Sequence, residues 1–126
     1  MRMLISILIA LILLIGTGIW TNGYLQTSSD KLGLQIEEIC RDIEQESWDD
    51  AENKTRMLEN TWQQSAKWWP VFLDHQEMDN IEFSLAKAKA FVESENKPLS
   101  LGQLSELKLM IEHLPIKEEI NLKNIL

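Results

Sequence analysis

A chain of 126 residues with 12 Lys and Arg against 20 Asp and Glu carries a net charge of −8 and has length for one domain plus an appendage. Only Arg2 precedes an N-terminal apolar stretch, so the rest holds 11 basic and 20 acidic side chains, or −9. That charge repels phosphate backbones and anionic lipid headgroups, which argues against nucleic-acid binding. The single cysteine, Cys40, excludes a disulfide within the chain.

Met3 to Trp20 reads MLISILIALILLIGTGIW without one charge. Eighteen residues at helical rise cover about 27 Å, close to the ~30 Å of a hydrocarbon core. A helix apolar all round must be buried, and the remaining hundred or so residues cannot wrap it. Residues 1–24 therefore read as a transmembrane anchor, with the bilayer contacting residues 3–20 and Trp20 and Tyr24 at headgroup level. A cleaved signal peptide is the rival reading, but Arg2 is a thin basic region and no A-x-A pattern follows the apolar run. Arg2 and the terminal amine precede the span, while Asp30 and Lys31 are the first charges beyond it. The positive-inside rule then predicts a single-pass protein of the cytoplasmic membrane, N-terminus inside and domain outside.

Residues 25–29 are expected to be a connector, the end of a polar stretch from Thr21 that opens with the Asn22-Gly23 turn signal. Residues 30–126 follow as an acidic helical domain. Leu32, Ile36, Ile39 and Ile43 step by 4, 3 and 4 and make one helical stripe. Cys40 follows Ile39 on that apolar side, where a free cysteine packs as a small hydrophobe. Ser47 with Asp50 reads as a helix start, and Trp48, Ala51, Leu58, Trp62 and Trp69 as a second stripe that stops by Pro70. Asp74 with Glu77 opens a third, through Met78, Ile81, Leu85, Ala88 and Val92. Asn96-Lys97-Pro98 is read as a turn and Ser100 with Gln103 as the next capping box. Leu104, Leu107, Ile111 and Leu114 form the fourth stripe, which Pro115 is expected to end, leaving a tail from Ile116. The fold class is thus all-α, an N-terminal transmembrane helix followed by an antiparallel bundle of about four helices in two hairpins. One continuous helix from Asp30 to Trp69 is the alternative, since neither Gly nor Pro lies between Gly33 and Pro70.

Trp48 and Ala51, the run Asp74-His75-Gln76-Glu77-Met78-Asp79-Asn80-Ile81-Glu82, Glu106-Leu107-Lys108, Ile111-Glu112-His113 and the closing Leu122-Lys123-Asn124-Ile125-Leu126 resemble an uncharacterised family. It is a family of small single-span membrane proteins of Gram-positive bacteria, domain-of-unknown-function family 4363. The resemblance extends over essentially the whole chain, anchor included. It implies a bacterial membrane-anchored helical protein and carries no activity or functional residue with it. Such proteins are met beside small multi-pass membrane proteins, which implies an accessory role.

Two constellations are candidate sites. His75 and Asp79 share a helical face with Asp74 and Glu77 nearby, a set that could ligate a divalent metal, with His113 as a distant fourth ligand if the third and fourth helices run antiparallel. The plainer reading is a helix N-terminus, where Asp74 caps and Glu77 and Asp79 complement the dipole. Trp68, Trp69, Val71, Phe72 and Leu73 crowd a corner around Pro70, and two adjacent tryptophans about 100° apart cannot both face one core. That corner is the candidate contact surface. The run from Glu37 to Glu52 holds eight acids and one base, Arg41, and reads as a solvated face or a docking surface for a basic partner.

No nucleophile sits beside a base, so neither enzyme activity nor a cofactor is expected. The expected function is an accessory or interaction module for another membrane or envelope protein. The alternative is a ligand-sensing extracytoplasmic bundle, but a sensor needs an output, and only Met1 and Arg2 precede the span.

Overall fold

The computed structural model describes residues 1–67 and 74–125, with the side chains of residues 21, 22, 25 and 115–125 left aside. The described residues form four helices: α1 (Arg2–Glu44), α2 (Trp48–Ala66), α3 (His75–Glu93) and α4 (Lys97–Ile125). The bundle is closed around its perimeter, since α1 packs on α2 and α4, and α3 packs on the same two. Cross-links fix the antiparallel directions. Gln35 meets Thr61 and Asp42 meets Lys54 between α1 and α2, while Ser29 meets Ile111 and Glu37 meets Lys108 between α1 and α4. The hairpin arrangement therefore holds, and the continuous helix from Asp30 to Trp69 is excluded by the break between Glu44 and Trp48.

The core is the four stripes. Leu32, Ile36, Ile39 and Ile43 of α1 face Ala51, Leu58 and Trp62 of α2, Met78, Ile81, Leu85, Ala88 and Val92 of α3 and Leu104, Leu107, Ile111 and Leu114 of α4, all buried. A bundle takes one apolar stripe per helix, so helical spacing alone selected these residues.

Both tight corners use one device. Glu46 and Glu95 adopt φ of 59° and 54°. The amide after each bonds five residues back, Ser47 to Asp42 at 2.8 Å and Asn96 to Phe91 at 3.0 Å. Glu46 and Glu95 themselves bond three back, to Ile43 and Val92. The paired bonds satisfy carbonyls that a helix end leaves open. Left-handed backbone is costly for a side chain with a Cβ, and the ladder on either side holds it there.

Three local expectations are overturned. The connector does not form: α1 runs unbroken through residues 21–29. Contacts one turn apart bridge the weak stretch, with Trp20 stacked on Tyr24 at 6.0 Å and Gln26 donating to Asp30 at 3.0 Å. Tyr24 already packs on the core and Ser29 is buried in it. A glycine in a helix costs only ~1 kcal/mol, whereas a break would open up to four amides and four carbonyls.

The α4 start is also four residues earlier than expected. Asn96 is the cap, its Oδ1 accepting from the Leu99 amide at 3.1 Å, and Pro98 sits in the first turn where its missing N–H costs nothing. Ser100 is therefore inside the helix, fully buried, its Oγ without a hydrogen-bond partner among the described residues. Gln103 donates instead to Ser84 Oγ at 2.7 Å, tying α4 to α3. Ser47 does stand at the N-cap of α2, but its hydroxyl makes no capping bond.

Finally, Pro115 does not end α4, which continues to Ile125. A proline inside a helix leaves the carbonyl four residues back without its donor. That carbonyl belongs to Ile111, and the Ser29 hydroxyl donates to it at 3.0 Å from α1 in a buried contact. A side chain on the neighbouring helix thus replaces the bond that Pro115 cannot make.

Two stability measurements follow. Asn96→Ala should lose about 1 kcal/mol with the cap, while Ser100→Ala should gain up to about 1 kcal/mol by removing a buried, unpaired hydroxyl. The opposite pair of signs in chemical denaturation would restore Ser100 as the cap. Ser29→Ala should cost about 1–2 kcal/mol in the natural chain and about 1 kcal/mol less in a Pro115→Ala background, where residue 115 regains its amide. Additive losses in that double-mutant cycle would separate Ser29 from Pro115.

Candidate functional site

At the start of α3, Asp74 takes the N-cap in extended backbone and its Oδ1 accepts from the Glu77 amide at 2.8 Å. His75 and Asp79 are exposed on the helix surface. Glu77 faces α4 and lines a cavity of about 310 Å³ with Asn80, Glu106 and His113 over an apolar wall that includes Ile81 and Leu114. The antiparallel packing of α3 and α4 thus brings His113 to Glu77 but not to the rest of the predicted cluster. His113 donates from Nδ1 to the Leu109 carbonyl at 2.6 Å, which leaves Nε2 as the ring's other nitrogen. No group of three or more His, Cys, Asp or Glu among the described residues is placed to hold a metal.

The acidic run from Glu37 to Glu52 is divided by the fold. Glu37 pairs with Lys108 at 2.6 Å, Asp42 with Lys54 at 2.8 Å and Glu52 with Arg56 at 2.7 Å. The Lys108 hydrogen bond and charge hold the Glu37 carboxyl below its ordinary range, and Glu37 raises Lys108 in return. Asp42 likewise raises Lys54. Cys40 is half-buried beside Glu37, Glu44 and Lys108, and burial pushes its thiol up, the direction expected of a packed, unreactive cysteine. Asp49 and Asp50 sit on the first turn of α2, where carboxylates complement the dipole. They line an open cleft at the bundle tip with Glu46, Trp48 and Glu95.

A larger groove, of about 500 Å³, separates α2 from α3. Trp62 and Leu85 lie at its base, both buried, and the exposed Ala86 and Ala90 form its α3 wall. Carboxylates of Glu59, Glu82 and Glu93 rim it, and Lys89 reaches across to Glu59 at 3.0 Å. Sequence reasoning did not find this groove. Its one legible signal was the pair of alanines one turn apart beside the Leu85 stripe. The aromatic corner Trp68, Trp69, Val71, Phe72 and Leu73, predicted as the contact surface, lies outside the described residues.

The Trp62 ring is 3% exposed and joins α2 to the core beneath the groove. Trp62→Ala should cost about 3–5 kcal/mol in denaturant unfolding. A loss under about 1 kcal/mol would place the ring on the surface.

No curated protein matches this chain, and no solved structure does. A family match extends over residues 19–125 and so starts at the last turn of the apolar segment. The expected inclusion of the whole anchor is therefore corrected, because residues 1–18 fall outside the match. Over the helical bundle the expected family likeness holds, and the chain belongs to the family described as Domain of unknown function (DUF4363).

Proposed function

We propose that this protein is a membrane-anchored helical module that serves another membrane or envelope protein as an accessory. The carrying observation is the first half of α1. Arg2–Trp20 is long and apolar enough to cross a bilayer, and none of it is buried against the rest of the chain. Every large apolar side chain described there is at least half exposed. So large an apolar surface is far beyond the few hundred Å² that a soluble monomer leaves open. Lipid is the solvent that covers it, and helical backbone satisfies its own hydrogen bonds there. The Trp20–Tyr24 stack stands at the end of the span, where aromatic rings favour the interface.

The charge bias supports an N-terminus inside and the bundle outside the cytoplasmic membrane. An interaction role is favoured over ligand sensing by the form of the clefts among the described residues, which are open surface grooves between helices. The corner Trp68–Leu73 remains a proposed contact on its composition alone.

Topology is tested with one new thiol. Lys87 is exposed on α3, away from the helix caps. In a Cys40→Ser background, Lys87→Cys should react with an impermeant maleimide in intact cells whose wall admits the reagent. Labelling only after lysis would reverse the orientation, and protein recovered without the membrane fraction would remove the anchor.

A further inference from the structure

We propose that the α2/α3 groove is the docking site for a basic amphipathic helix of a partner protein, an inference that rests on the interaction role above and names the partner's chemistry. Three observations on the page point to that occupant. The first is shape. Glu82 to Glu93 spans about 16 Å of α3, or three turns, the contact length of a helix laid along the groove. Ala86 and Ala90 are one turn apart and small, so a helix can approach the α3 backbone closely, with Trp62 and Leu85 as apolar ground beneath it.

The second is charge. Glu59 is paired with Lys89, but Glu82 and Glu93 have no basic partner among the described residues. They stand near the two ends of the α3 wall, on a chain of net charge −8. Lysine or arginine at the ends of a docked helix would meet them. The same charge rejects the rival occupants, since a second copy would set acid against acid and an anionic bilayer surface would be repelled.

The third is the looseness of the seam. Of the four neighbouring helix pairs, α2 and α3 share the least contact among the described residues, with the Glu59–Lys89 ion pair at the rim, so this seam has the most room for an added element.

The test uses the full chain in neutral alkyl-maltoside micelles and a fluorescently labelled 18-residue helical peptide of Leu, Ala and Lys. A peptide of the same pattern with Glu for Lys serves as its charge-inverted control. Anisotropy should show saturable one-to-one binding of the Lys peptide and none of the Glu peptide. Glu82→Lys with Glu93→Lys should weaken binding tenfold or more. Ala90→Gln, which narrows the groove without changing charge, should weaken it at least fivefold. Asp30→Lys with Glu38→Lys makes the same charge change on α1, diagonally across the bundle, and should alter affinity less than threefold. Ala86, Ala90, Glu82 and Glu93 are all exposed, so melting temperatures should stay within a few degrees of the natural chain. Equal losses for the two charge-reversed pairs would reduce the effect to net charge, and an unchanged affinity in Ala90→Gln would empty the groove of its role. Failure to saturate, or equal binding of the Glu peptide, would also overturn the proposal. Flotation with phosphatidylcholine vesicles, run separately, reads the anchor. Loss of flotation with intact peptide binding would sink the membrane reading alone, and the reverse would sink the groove alone.

Discussion

The structure depends on one helix changing its surface pattern midway without a break. The first half of α1 is apolar all round and the second half is apolar on one stripe, yet Arg2–Glu44 is a single helix of 43 residues, about 64 Å long. The transition falls at Asn22-Gly23, where local chemistry favours a turn. It is carried by the cooperative cost of opening a helix in its middle and by contacts that begin at once on either side, the Trp20–Tyr24 stack and the burial of Ser29. With α1 continuous, the direction of the bundle is set by the direction of the apolar segment. The other three helices then assemble along its second half.

Ser29 is where that dependence is most concrete. It lies in the stretch that reads as a flexible link, yet its hydroxyl reaches Ile111, 82 positions away, and fills the gap left by Pro115. Farther along, Glu37 ties to Lys108 and Lys97 donates to the Glu44 carbonyl at 3.3 Å. Helix α4 is thus pinned to α1 at several levels, and α3 is pinned to α4 through Gln103 and Ser84. Helices α2 and α3 share the least contact of the neighbouring pairs, and the groove over Trp62 lies along that seam.

The four stripes were legible because burial imposes a period, and Leu32, Ile81 or Leu107 need only that period to be found. What misled were rules that look at a few neighbouring residues. Asn22-Gly23 signals a turn, Ser100 with Gln103 mimics a cap, and Pro115 signals an end. Each was decided by a partner those rules do not see: Tyr24 and Ser29 packing on the bundle, Asn96 capping first, and a hydroxyl from another helix. The candidate site shows the same limit. Asp74 was identified as a cap from local spacing and is one. That Glu77 and His113 share a cavity, while His75 and Asp79 stay at the surface, depends on the rotation of α3 against α4. The α2/α3 groove is a property of two helices together, and no single stripe announces it.

The continuity of α1 is tested most directly by one distance. With Cys40 replaced by serine, spin labels at Ala10 and Arg41 sit 31 residues apart on opposite sides of Asn22-Gly23. An unbroken helix places their backbones about 46 Å apart. Pulsed electron paramagnetic resonance on the full chain in lipid nanodiscs should give a single narrow distribution near that value. A broad distribution, or one centred well below it, would mean that the helix breaks at the link and that the bundle hangs from the membrane by a tether.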